Sequence, residues 1–528
     1  MNIDEMLDGR APSAPHVLGR GFQPWLYAAA AFGMMAALFD PAIALAQADA
    51  CPNKGGTLTF ARSADVSGWY YQDNNPTIWA WPLVSLALVR NKVDASGLEG
   101  AAAESWEASP DSKTFTFHLR KDLKFSDGSP LTSADVVDSF NSSMNDAQNV
   151  QQGIWPKGTT IAGPDPSTVV ITITDPQPAF VDNLLSQVGI YPKGSKPADL
   201  VTHPVSAGPF MLADWQKGQR AVLKRNPYFW NQPYPCVDEV DLAVVGDSAT
   251  QALQLQAGQV DIAEELPPNQ LEALRRSPGV TVPVFPTLGE ELIRLQRTKQ
   301  PAFQDENVRL AMNYAIDKNA IVNLVFFGTA VVEDSEMPRT KFYKAQTPYS
   351  YDLAKAKKLI AASAFPKGFK TSLLISSGDA VESGIATIVK DQLAAIGIDV
   401  AIQQVEAGTK FELRGKKDFE MFLATTSADQ IDPQIFWYFC CAQGFNLGSA
   451  FTDYLSPENQ ALFTKVQIEG DPAKRADLFA QMQKVVWDDA AQLYLVFLEA
   501  PMGIRLNIKG FVLPPSRHHY LEKVYKTP

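Results

Sequence analysis

The chain changes its periodicity near residue 300. Before that point, short runs of β-type alternation are separated by Gly and Pro: residues 57–61 behind Gly55-Gly56, then 114–119, 169–173, 221–224 and 237–245. In residues 114–119, Phe115, Phe117 and Leu119 point one way and Thr116 and His118 the other. His118 is therefore expected on an outer strand face. After residue 300, helices alternate with strands. Val308, Ala311, Met312, Ala315 and Ile316 have helical spacing behind Asp305, and Asp317 and Asp352 stand where N-caps belong. Residues 383–396 read as a further helix closed by Gly397, and residues 398–402 and 419–425 as strands. A late helix over 475–489 precedes a returning strand at 492–498. The chain is thus α/β, and its 528 residues suffice for more than one core.

The first 46 residues read as an export leader. Arg10 and Arg20 precede an apolar run at residues 25–39, too short to span a bilayer as a helix. Ala44-Leu45-Ala46 then gives a small-x-small cleavage pattern, which leaves a body outside the cytoplasm. A formal charge of −12, with no basic block, argues against a nucleic-acid partner.

Four cysteines follow the leader, and an exported chain meets oxidising conditions. Cys51 and Cys236 each precede an apparent strand. If those strands are neighbours the two thiols meet, so a Cys51–Cys236 disulfide is expected. Lipidation of Cys51 is the alternative. Cys440 and Cys441 are open to a vicinal bridge, free thiols or cross-pairing.

Signatures of catalysis are missing. The sequence has no H-E-x-x-H, no G-x-S-x-G, no strand followed by G-x-G-x-x-G and no G-x-x-x-x-G-K-[ST]; residues 153–159 fail the last at the lysine. His118, His203, His518 and His519 lack metal-site spacing. The adjacent carboxylates Glu264-Glu265 and Glu290-Glu291 are expected as solvated surface charge. No metal, cofactor or catalytic residue is expected.

An ordered set of segments resembles the large periplasmic solute-binding proteins of ABC importers, the peptide/nickel class (family 5, dipeptide/oligopeptide-binding). The segments are GGTLTFA at 55–61, AESW at 103–106, PDSKTFTFHLR at 110–120, LKFSDGSPLTSADVVDSF at 123–140, SAGPF at 206–210, KRNPYFW at 224–230 and QLQAGQVD at 254–261. The resemblance runs on through 308–321, 352–360, 390–397 and 509–511, so it covers essentially the whole body. It implies a two-lobed periplasmic-binding-protein fold, type II-like, with the ligand cleft between lobes. Lobe I would take 51–285 plus 492–528, with a small subdomain at about 95–205, and lobe II would take 286–491. The late returning strand agrees with a discontinuous lobe I.

The resemblance also implies a ligand-binding aspartate after a lobe II strand, in a pattern like G-W-x-x-D-x-x-D/E-P. This chain has Thr425-Thr426-Ser427-Ala428-Asp429-Gln430-Ile431-Asp432-Pro433. It matches at Asp429, Asp432 and Pro433 and departs at Thr425 and Thr426. Asp429 either pairs with a ligand ammonium or organises its own loop, and Asp432 reads as a turn residue. Trp69, Tyr70 and Tyr71 in lobe I, and Phe436 and Trp437 in lobe II, either line the cleft or pack the core. Ser206 and Gly208 either present backbone to a ligand or form a plain turn. Trp79, Trp81 and Trp230 read as core. Dipeptide-binding relatives use an arginine for the ligand carboxylate, yet residues 371–388 contain no Arg or Lys.

The implied function is a receptor that captures a peptide-like or other small organic solute by lobe closure and delivers it to permease subunits in the inner membrane. It would be a periplasmic monomer without enzymatic activity. Alternative ligands are an oligosaccharide or an opine. Alternative classes are a secreted hydrolase and a sensory or chaperone protein on the same fold.

Overall fold

The computed structural model describes residues 50–70, 79–146, 155–428, 430–442 and 453–528. The leader at 1–46, Tyr71 and Asp429 lie outside the described residues.

A seven-stranded sheet gathers the beginning and the end of the body. Its order is Val280–Thr281, Gly503–Arg505, Ile262–Ala263, Thr57–Arg62, Glu239–Val244, Arg220–Arg225 and Phe210–Gln216. The central strand Thr57–Arg62 runs parallel to both neighbours and buries Leu58 and Phe60 completely. Its register sets Thr57 beside Glu239, so the residues just ahead of the two strands converge, and Cys51 and Cys236 are disulfide-bonded there with Cα atoms 5.4 Å apart. Cys440 and Cys441 are bonded to each other.

Inserted before Phe210 is a four-stranded antiparallel sheet, in the order Ala103–Ala108, Thr114–Leu119, Thr168–Thr172 and Thr160–Asp165. Alternation puts Phe115 and Phe117 into its core and leaves His118 exposed. The helix Ser133–Asn145 packs on this sheet. It opens with a capping box in which the Thr132 N–H donates to Asp135 Oδ2 at 2.8 Å.

The six-stranded sheet is built from the middle of the chain. Its order is Ala330–Val332, Leu493–Pro501, Val284–Leu295, Met421–Ser427, Lys370–Ser376 and Asp399–Val405. The helices Glu306–Ala315, Lys318–Leu324 and Leu353–Ala362 start at the caps Asp305, Asp317 and Asp352. The next helix begins at Ala380, ahead of the expected residue 383, because the Asp379 carboxylate accepts the Glu382 N–H at 2.9 Å. Ile293, Val308, Met312, Leu373, Val389 and Leu423 are buried between this sheet and its helices. Each such side chain contributes roughly 1.5–3 kcal/mol of burial free energy.

Two strands connect the sheets. Val284–Leu295 enters the second sheet directly after the first-sheet strand Val280–Thr281. Leu493–Pro501 runs antiparallel beside it, with Val284 opposite Pro501, and continues into the first-sheet strand Gly503–Arg505. The strand expected at 492–498 is thus present, but it belongs to the six-stranded sheet. The chain re-enters the first sheet at Gly503, later than the 492 boundary read from sequence.

Candidate functional site

On the first-sheet side, Trp69 is fully buried, its backbone N–H donates to Val201 O at 2.9 Å, and its ring meets Trp215 edge-on at 6.3 Å. The Tyr70 ring lies 5.3 Å from Tyr191, whose hydroxyl is 3.4 Å from Ser85 Oγ. Ser206 Oγ donates to Ile190 O at 2.8 Å and accepts the Leu86 N–H at 3.4 Å. Tyr70 and Ser206 therefore belong to one buried patch. Ser206 O accepts from Ser126 N, and Gly208 O accepts from Asn226 Nδ2. These groups are engaged within the fold. Gly208 is glycine for space, since a Cβ there would sit 2.3 Å from the Val84 carbonyl carbon.

In the second body, Phe436 and Trp437 lie on the helix Gln434–Cys440 and pack with Met337, Phe342, Phe463 and Phe479. Trp437 is fully buried. The indole N–H groups of Trp69 and Trp437 are both buried without a hydrogen-bond partner among the described residues. Such donors need a solute or water to satisfy them. Trp79 and Trp81 are buried, and Trp230 is half-buried under the Arg120 guanidinium at 3.7 Å.

The two halves meet where Phe180, Asn183 and Leu184 face Gln434 and Ile435 across a small gap. Asp182, on the turn Val181–Leu185, is half-buried at this seam, and its carboxyl is pushed up to about 6 by desolvation and then by Asp432. Asp432, read as a turn residue, accepts the Gln434 N–H at 3.0 Å. It also binds Arg475 Nη2 with both oxygens, at 2.7 and 2.9 Å. This pair is buried, and Arg475 Nη1 is held by Val466 O at 2.6 Å.

A pocket of about 110 Å³ opens at the carboxyl ends of the neighbouring parallel strands Lys370–Ser376 and Met421–Ser427. That end of an open α/β sheet is where such folds receive ligands. Ser376, Thr425 and Thr426 line it from the strands, Arg294 from the connecting strand, and Lys410 and Arg414 from the helix Ala407–Gly415. Lys410 Nζ pairs with Glu382 Oε1 at 2.6 Å. Thr425 Oγ1 donates to Glu291 at 2.6 Å and Thr426 Oγ1 to Glu290 at 2.7 Å.

Glu264, Glu290 and Glu291 are interior and Glu265 is half-buried, which corrects the surface reading. Glu290 and Glu291 are at most 4% exposed. Burial pushes both up to about 8 and Glu336 up to about 7, and it raises Glu333 well above the carboxylate range. Glu264 is buried too. Against that burial, His519, Arg62 and Arg517 hold it down at about 2, Arg517 Nη2 lying 2.7 Å away. Sequence reasoning missed Arg294, Lys410 and Arg414, because no motif links these three separated positions.

Glu336, Cys440 and Cys441 form a group compact enough for a metal, but their two sulfurs are bonded to each other and offer no thiolate. Ser516 Oγ and His518 Nδ1 stand 3.3 Å apart in a buried turn of the tail, and burial pushes His518 down to about 4. Among the described residues, no helix is long and apolar enough to cross a membrane.

Residues 97–446 match the family model described as bacterial extracellular solute-binding proteins, family 5 Middle. The chain is 31% identical over 475 residues to the "Probable D,D-dipeptide-binding periplasmic protein DdpA" of Escherichia coli K12, covering 86% of this chain and 89% of that relative. Its fold is similar to the periplasmic binding protein DppA of Helicobacter pylori in complex with the peptide STSA, with a TM-score of 0.75, 27% identity and coverage of 90% and 98% of the two chains. It is likewise similar to AgaA of A. tumefaciens R10 in complex with agropinic acid, with a TM-score of 0.75, 25% identity and coverage of 90% and 99%. The fold is the two-lobed α/β fold of these binding proteins, and the chain belongs to the bacterial extracellular solute-binding proteins of family 5.

Proposed function

We propose that this chain is the extracytoplasmic receptor of an ABC importer, taking a small peptide-like solute between lobe I and lobe II and presenting the closed form to the permease. The observation that carries the reading is the pair of antiparallel crossing strands, Val284–Leu295 and Leu493–Pro501, which join two separately cored sheets. A two-strand connection lets two bodies rotate while each core stays intact. The ligand drives closure only through its greater affinity for the closed form. The body works in the periplasm as a monomer once residues 1–46 are removed, and it transports without chemistry.

The D,D-dipeptide-binding relative and the peptide-bound neighbour support a peptide-like ligand. Asp429 supplies the carboxylate for the ligand's ammonium. The buried indoles of Trp69 and Trp437, with Tyr70, Tyr71 and Phe436, give the apolar walls and spare donors that orient a small solute. Ser206 and Gly208 hold the turn beneath Tyr70.

The test is native mass spectrometry of the mature protein, followed by calorimetry with the solute that co-purifies. Asp429→Ala is expected to abolish binding of an amine-bearing solute and to leave the melting temperature of the unliganded protein unchanged. Unchanged affinity overturns the role of Asp429, and steady turnover of the solute overturns the receptor reading.

A further inference from the structure

We infer that the pocket at the ends of Lys370–Ser376 and Met421–Ser427 is a carboxylate subsite, in which Arg294 and Arg414, supported by Lys410, receive a free carboxylate of the captured solute. This rests on the receptor reading and names the chemical class of its ligand.

The Arg294 side chain is buried to 2% exposure on the connecting strand. Nη1 donates to Gln492 Oε1 at 3.0 Å, while Nη2 is buried without a hydrogen-bond partner among the described residues, and the side chain is one of those that line the pocket. A buried guanidinium with an unused N–H is costly, and an entering carboxylate relieves that cost through a charge-assisted bond. Arg414 faces the same space from the helix Ala407–Gly415, and Lys410 lies one turn earlier on the same helix face. The two guanidiniums are close enough that Arg294 adds to burial in lowering the Arg414 pKa. Two like charges around one cavity are stabilised by an anion between them, and the planar fork of arginine suits a carboxylate.

The nearby acidic groups do not cancel this field. Glu382 balances the Lys410 charge and accepts the Ser376 N–H at 2.6 Å, so the net positive charge of the pocket comes from Arg294 and Arg414. Glu290 and Glu336, the carboxyls beside Arg294, are pushed up to about 8 and about 7, chiefly by burial, and burial raises Glu333 well above the ordinary carboxylate range. Glu291, bonded to Thr425, is pushed up to about 8 as well. Near neutral pH Glu290 and Glu291 favour their protonated forms and Glu336 is about half ionised, so these carboxyls only partly balance the two guanidiniums. The volume of about 110 Å³ is several times what one water needs and admits a carboxylate with its adjoining carbon. Residues 371–388, which include the end of one of these strands, contain no Arg or Lys. The cations come instead from Val284–Leu295 and Ala407–Gly415.

The experiment uses the full mature chain and Arg414→Gln, a half-buried surface-helix position whose replacement leaves the cores untouched. Calorimetry compares di- to tetrapeptides as free acids and as C-terminal amides. The free acid is expected to bind wild type about tenfold or more tightly than the amide, and the ratio to collapse in Arg414→Gln. Equal binding of acid and amide by wild type, or a ratio that survives in both Arg414→Gln and Arg294→Gln, overturns the subsite.

A second arm follows melting temperature against succinate and inorganic phosphate, independently of any peptide. Stabilisation by succinate that Arg414→Gln loses supports the subsite even if no peptide binds, in which case only the peptide reading falls. No stabilisation by succinate, or stabilisation by phosphate alone, overturns it.

Discussion

Thr426 Oγ1 donates a hydrogen bond of 2.7 Å to Glu290 Oε1, and the next residue back, Thr425, makes the equivalent bond of 2.6 Å to Glu291. The two pairs are direct neighbours across antiparallel strands. They explain the departure from the pattern that the family resemblance implies: where Gly-Trp would stand, this chain has two hydroxyls, and the facing strand has two buried carboxyls that need them. Removing one partner should therefore cost more than replacing it in kind. Thr426→Val is expected to destabilise by about 1–3 kcal/mol because it strands a buried carboxyl oxygen. Thr426→Ser should lose far less. Urea unfolding of both variants checks this, and equal losses would contradict it.

The same carboxyls predict the pH dependence. Glu290 and Glu291 rise in the fold from 4.5 to about 8, and Glu336 to about 7. A folded-state pKa above the unfolded one means that the folded protein holds more protons across that window. Their contribution is full below about 4.5 and is lost as pH rises through about 8. Burial of His518 and His519, pushed down to about 4, acts in the opposite direction, favouring the fold as pH rises from about 4 to the ordinary histidine range. The melting temperature should fall between neutral pH and the point where Glu290 has titrated. Glu290→Gln, which mimics the protonated form, should flatten that fall. An unchanged slope would contradict the assignment.

Legibility followed sequence distance. The caps Asp305, Asp317 and Asp352 could be read because the cap oxygen and the N–H groups it meets lie within three residues. The burial of Glu290 could not, since its hydroxyl partner lies 136 residues away and a carboxylate with no visible partner reads as solvated. The disulfide between Cys51 and Cys236 was legible because each cysteine precedes a strand and the strands pair in parallel. The pocket cations were not, because Arg294, Lys410 and Arg414 come from a strand and a helix that only the six-stranded sheet brings together. The tail boundary was misplaced because a returning strand does not announce which sheet it joins. Leu493–Pro501 pairs with Val284–Leu295 before the chain reaches Gly503.

The seam offers a further test. Burial and then Asp432 push Asp182 up to about 6, so contact between the halves at the seam favours its protonated form. If opening exposes Asp182 to water and returns it to 3.8, closure is fully favoured below that value and loses this support as pH rises through about 6. Asp182→Asn is expected to raise solute affinity at neutral pH by up to about tenfold and to flatten its pH dependence below about 6. Calorimetry across that range checks it. Equal affinities of wild type and variant at neutral pH would contradict a role for Asp182 in closure.

In the proposed function, two cored bodies swing on the strands Val284–Leu295 and Leu493–Pro501 to trap a solute. Small-angle scattering of the mature protein, stripped of solute and then resaturated with the molecule it co-purifies with, tests this most directly. The account predicts a smaller radius of gyration with solute, together with a higher melting temperature. Superimposable curves and an unchanged melting temperature would contradict it.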